Sequence, residues 1–96
     1  MGYELAKRLE QAGWPQAGNG VWIVDPDRLI ARQRVYVPRL EELIEACGNR
    51  FGELRQVRGS NGVWIARSSN PERVGQGNTP VEAVAHLWLA LRAVDS

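Results

Sequence analysis

Ninety-six residues with 44% hydrophobic content and four Trp supply one core, so a single domain over 1–96 is expected and a disordered chain is excluded. A formal net charge of +1 gives no long-range field to gather anionic lipid or nucleic acid. The lone cysteine, Cys47, excludes an internal disulfide and a Cys-based metal quartet, which suits a reducing, cytoplasmic setting.

The opening MGYELAKRLE is too charged for a signal peptide. The most apolar run, 81–91, is too short to span a bilayer and holds Glu82 and His86. A soluble, unprocessed protein without membrane contact is therefore expected. Eleven Arg stand against one Lys. Either the codon usage of a GC-rich genome or a face selected for bidentate recognition of phosphate or carboxylate accounts for that excess.

The first element, YELAKRLEQAG, sets Leu5, Leu9 and Ala12 along one helical face. Gly13 is placed to end it in the left-handed conformation, with Trp14 folding back and Pro15 barring continuation. Two strands follow, 21–24 and 29–37, separated by the turn signal Asp25-Pro26-Asp27. Alternation in the second puts Leu29, Ala31, Val35 and Val37 on one face with Gln33, and Arg32, Arg34 and Tyr36 on an opposite, wet face. Pro38 then introduces a helix in which Leu40, Leu43, Ile44 and Cys47 form an amphipathic stripe. Glu41 and Glu42 occupy its favourable first turn and Gly48 ends it.

A hairpin is predicted next, its strands 53–58 and 63–67 joined through Gly59-Ser60-Asn61-Gly62, which suits positive φ. SSNPERVGQGN reads as a polar loop. The last helix, 79–94, opens on a Thr79 cap, Pro80 in its first position and Glu82 three residues past the cap. Val84, Leu87, Trp88 and Leu91 form its core stripe, widened by Ala85, Leu89, Ala90 and Ala93, so it should be the most buried helix. The predicted fold class is α+β in the order αββ–αββ–α, with a mostly antiparallel sheet of about four strands under the helices. The pentapeptide Asn19-Gly20-Val21-Trp22-Ile23 recurs as Asn61-Gly62-Val63-Trp64-Ile65. Either an internal αββ duplication (3–37 and 38–74) or a shared turn-then-strand chemistry accounts for it.

No catalytic constellation assembles. His86 has Glu82 one turn back as its nearest partner, and Cys47 falls on an apolar stripe. Asp25 and Asp27 have turn composition without further calcium-loop ligands, and Gly75-Gln76-Gly77 lacks the Lys of a phosphate loop. No catalytic, cofactor-binding or metal residue is therefore assigned. The candidate partner or nucleic-acid surface is Arg32, Arg34 and Tyr36 on one strand with Arg55, Arg58 and Arg67 on the later hairpin. If both hairpins share one sheet, these would line its open face beside Trp22 or Trp64, as a single-stranded nucleic-acid platform would require.

Three stretches, ELAKRLEQAGWPQ, YVPRLEELIEACG and GNTPVEAVAHLWLALR, resemble a family of small uncharacterised proteins encoded by phages and prophages. That family pairs an opening helix ending in an AGFPQ-like turn with a Pro-led LIEACG helix, and closes on a G-x-TP-x-EAVA-x-LWLAL helix. The likeness spans about half the chain and departs at Arg39, where the family favours a capping Thr or Ser. It implies an accessory protein in the host bacterial cytosol that binds a host or phage protein, a defence component included, and not an enzyme. The run GVWIARSSNPERVGQGNTPVEAVAHLWLAL is also similar to the strand, loop and helix of HicB-like antitoxin domains, without their acidic and Pro-Gly loop signature. This second resemblance implies a nucleic-acid-binding or antitoxin-type module as the alternative. Homodimerisation is open, because a short sheet leaves edges to be paired.

Overall fold

Helix α1 (Tyr3–Gln11) ends as its sequence dictates. In the computed structural model, which describes residues 2–24, 34–59 and 61–95, Gly13 takes φ +100°. Its N–H donates to the Glu10 carbonyl at 3.0 Å, and the Trp14 N–H donates to the Leu9 carbonyl at 2.9 Å. These are the paired bonds of a Schellman motif. Trp14 is thereby turned into the core beside Leu9, edge-on to Trp88 at 4.9 Å. Arg92 lies over the Trp88 ring and donates from Nε to the Ala12 carbonyl at 3.2 Å, tying the end of α1 to the last helix.

Strands β1 (Val21–Val24) and β2 (Arg34–Val37) pair antiparallel as a two-stranded ribbon. Helix α2 (Leu40–Cys47) follows, with the Arg39 N–H donating to Glu42 Oε1 at 3.0 Å. A carboxylate three residues into the helix thus satisfies the cap amide, and no Thr or Ser hydroxyl is needed at position 39 for that bond. A 3₁₀ turn (Gly48–Arg50) leads to β3 (Phe51–Gln56), β4 (Trp64–Ser68) and β5 (Val74–Gly77), which form a second antiparallel sheet in the order β3-β4-β5. Gly59 and Gly62 carry positive φ in the β3–β4 connection, as predicted. Helix α3 (Pro80–Asp95) is capped by Thr79, whose Oγ1 accepts the Glu82 N–H at 3.2 Å.

The fold is α+β in the predicted order, with β5 as an addition. The four expected strands are divided between two sheets, so the two hairpins do not share one open face. The SSNPERVGQGN stretch, expected as loop, contains β5. Its glycines, which read locally as turn material, serve a long-range contact: a Cβ on Gly75 would run into the Ala83 carbonyl and Leu87 amide of α3. Register places Leu54, Ala66 and Gly75 in one row under α3, and Glu53, Arg67 and Val74 on the outer face. Helix α3 also meets α1 and α2, and its Ala83, Val84, Ala85, Leu87, Trp88 and Leu91 are all buried. A radius of gyration of 13.6 Å fits one compact domain of this length. Among the described residues, no helix is long and apolar enough to cross a membrane.

Candidate partner-binding ribbon

Tyr36 organises the ribbon. Alternation puts it on the same face as Trp22, Val24 and Arg34, and the sequence reading made that face wet. The structure corrects this: Tyr36 is fully buried. The reason is the segment before β1, which folds across the ring. The Tyr36 hydroxyl accepts the Gly20 N–H at 2.6 Å and donates to the Glu42 carboxylate, 2.8 and 2.9 Å from its two oxygens. The Tyr36 N–H donates to Gln16 Oε1 at 2.9 Å, and Gln16 Nε2 donates to the Trp14 carbonyl at 3.0 Å. A Cβ on Gly20 would meet the Val37 carbonyl oxygen, so the close approach needs glycine there. Burial above all, with Glu42 adding, holds the phenol above its ordinary range against the lowering effect of the Gly20 N–H.

With Tyr36 inside, Trp22 packs edge-on against its ring at 5.5 Å, and the Arg34 guanidinium lies 5.9 Å from the Trp22 ring centre. Such a contact with an exposed ring contributes about 0.5–1 kcal/mol and holds Arg34 alongside the ribbon. Strand β1 meets the rest of the fold chiefly through β2. Val21 is 59%, Trp22 47% and Val24 53% exposed, three of the five large exposed hydrophobic residues of the described chain. These positions carry no charge of their own. Scattered exposed apolar residues need no explanation, but Trp22 and Val24 stand side by side on one face of the ribbon and form a patch, with Val21 exposed on the other face.

The other predicted surface residues lie apart from this patch. Arg55 and Arg67 stand on the outer face of the three-stranded sheet, where Glu53 lies 3.7 Å from Arg55 and 3.6 Å from Arg67. Glu72 lies 3.9 Å from Arg67. These carboxylates locally offset the cationic field that a nucleic-acid platform would use. Arg58 is exposed in the connection after β3. Arg32, the predicted 29–33 portion of the second strand and the Asp25-Pro26-Asp27 turn lie outside the described residues. Trp64 faces the core with its neighbours on β4. Val21, Trp22 and Val24 were not assigned to the site in the sequence reading, which set Trp22 only beside the Arg-bearing face.

The two copies of the Asn-Gly-Val-Trp-Ile pentapeptide stand in different surroundings. Gly20 serves close packing against Tyr36 and Val37, whereas Gly62 serves a turn at φ +81° with open space beside it. Trp22 is an exposed edge residue and Trp64 lies against the core.

Elsewhere the chemistry is quiet. An open hollow of about 540 Å³ lies between Gly52, Glu53, Arg67 and the Ser68–Glu72 loop. A smaller one of about 310 Å³ runs beside Trp14, Pro15 and Glu42. Burial pushes the Cys47 thiol up to about 11, which keeps it in the protonated, unreactive form at neutral pH. His86 is lowered by partial burial first and by Arg8 second, against an opposing pull from Glu82. Glu82 itself accepts a hydrogen bond from the Thr79 hydroxyl at 3.1 Å. Among the described residues, no three His, Cys, Asp or Glu side chains converge as metal ligands. No protein-family model, curated protein or solved structure matches the chain.

Proposed function

We propose that this chain is a non-enzymatic protein-binding module of the phage accessory type, which docks a host or phage protein in the bacterial cytosol through the β1–β2 ribbon. The observation that carries the reading is the exposed pair Trp22 and Val24 on one face of the ribbon, flanked there by Arg34. Aromatic and Arg side chains are the usual anchors of protein interfaces, and a Trp already held by a neighbouring ring loses little entropy on binding. The resemblance to phage-encoded proteins supplies the setting, and a component of host defence is the partner class it implies.

The test is affinity capture of tagged protein from infected and uninfected bacterial lysate, with a nuclease-treated arm. A stoichiometric protein that survives nuclease is the expected result. Recovery of nothing above background would overturn the reading. A nucleic-acid-binding or HicB-like antitoxin module is the second reading, favoured by Arg34 stacked beside exposed Trp22. It predicts capture that disappears with nuclease and falls steeply with salt.

A further inference from the structure

The ribbon has two long edges, and the molecule treats them differently. On the β2 side the Tyr36 N–H is taken by Gln16 Oε1. That bond also fixes the ladder. If Tyr36 directs its amide away from β1, the Trp22–Tyr36 pair is a non-hydrogen-bonded one, and the ladder bonds run through Val21–Val37 and Ile23–Val35. The N–H and C=O groups of Trp22 and Val24 therefore point outward along the free edge of β1. Among the described residues, β1 pairs only with β2.

Other edges of the fold carry protection. Edge strand β3 has a register irregularity between Phe51 and Glu53 and bears Glu53 and Arg55. Edge strand β5, Val74–Gly77, presents no apolar run, its Gly75 and Gly77 packed face-on under α3 on either side of Gln76. Strand β1 has none of these devices: Val-Trp-Ile-Val contains no charge, proline or glycine, and its register with β2 is unbroken. An apolar edge without protection is a template for another strand.

We infer that the occupant of this edge is β1 of a second copy, paired antiparallel about a two-fold axis through Ile23 to make a continuous four-stranded sheet. A perpendicular two-fold keeps side chains on their own faces, so paired residues must be separated by an even number in sequence. Centring on Ile23 sets Trp22 opposite Val24 of the second copy, and Val24 opposite its Trp22. All four outward N–H and C=O groups of each strand are then used. Centring on Trp22 would call on the Gly20 N–H, which is already given to the Tyr36 hydroxyl. The chosen register also forms two cross-strand aromatic–β-branched pairs and, within 21–24, brings no charge into the seam. It brings two Trp22–Arg34 units onto one face. The inference deepens the reading of the ribbon as a binding surface and rests on it, because the dimer would present a doubled form of that surface.

Register gives a sharp test. Across the two-fold, the Ile23 positions form a non-hydrogen-bonded pair with Cα atoms about 4.5 Å apart, within the range a disulfide spans. Ile23→Cys should give a covalent dimer under mild oxidation, with native Cys47 left in place because it is buried. Val21→Cys, two residues off the axis, should not, and unaltered protein should sediment as a dimer at micromolar concentration. Val24→Lys, at an exposed position, should sediment as a folded monomer with an unchanged circular dichroism spectrum. Sedimentation of unaltered protein as a monomer at every concentration up to about 100 times that range would overturn the second copy as occupant, as would equal crosslinking at positions 21 and 23. If in that case lysate capture still depends on Trp22, the ribbon remains the binding surface and only the second copy falls. If capture is indifferent to Trp22, both fall.

Discussion

Replacing Tyr36 with Phe removes one oxygen and leaves the ring, its burial and its edge contact with Trp22 in place. The oxygen holds three segments together: the Gly20 N–H before β1, the ring on β2, and the Glu42 carboxylate on α2. A hydrogen bond to a charged acceptor contributes about 1.5–3 kcal/mol, and a neutral one about 1 kcal/mol. Glu42 keeps the Arg39 N–H and is only partly buried, so water can take part of the vacated position. The expected cost of Tyr36→Phe is therefore about 2–3 kcal/mol. For a domain of this size that lowers the melting temperature by about 8–24 °C. Urea unfolding followed by circular dichroism should show a lower midpoint with an unchanged slope. A Tyr36→Phe/Glu42→Gln cycle should show coupling above about 0.5 kcal/mol, the level at which independent sites add. A loss smaller than that for the single change would refute the hydroxyl as the fastener of the ribbon.

Three further outcomes follow from the same geometry. Gly75→Ala drives a methyl into the backbone of α3, so it should cost about 3 kcal/mol or more and deplete soluble protein, read by urea midpoint and yield. Cys47, buried with its thiol at about 11, should resist a thiol reagent at pH 7 in the folded protein and react rapidly in denaturant. His86 is lowered from 6.5 in the fold, so the unfolded chain takes up the proton first. Its contribution to stability is complete above pH 6.5 and is lost as pH falls through the lower folded value. That portion of the pH dependence should vanish in His86→Gln, compared by urea midpoints between pH 7.5 and 5.

Local chemistry made the helices legible. The Gly13–Trp14 ending, the Pro38 approach to α2 and the Thr79-Pro80-Val81-Glu82 start each depend on residues within one turn, and all three stand as read. The β3–β4 hairpin was legible for the same reason, with positive φ at Gly59 and Gly62. What escaped depended on distant partners. Gly75 and Gly77 looked like loop because their need is for room under α3. Tyr36 looked wet because alternation cannot foresee a loop closing over one side of a strand. The VWIV strand has the composition of a buried strand, and only the separation of the two sheets shows that it is an exposed edge. The Arg residues were legible as surface, but their pairing with Glu53 was not, since it needs the β3–β4 register.

Under the proposed function, the β1–β2 ribbon is where this protein meets its partner. The most direct measurement is capture from lysate by unaltered protein and by Trp22→Asp side by side, with Arg55→Ala as a control on the other sheet. Loss of the captured protein with Trp22→Asp, full recovery with Arg55→Ala and an unchanged circular dichroism spectrum for both are the predicted result. Undiminished capture by folded Trp22→Asp would contradict it.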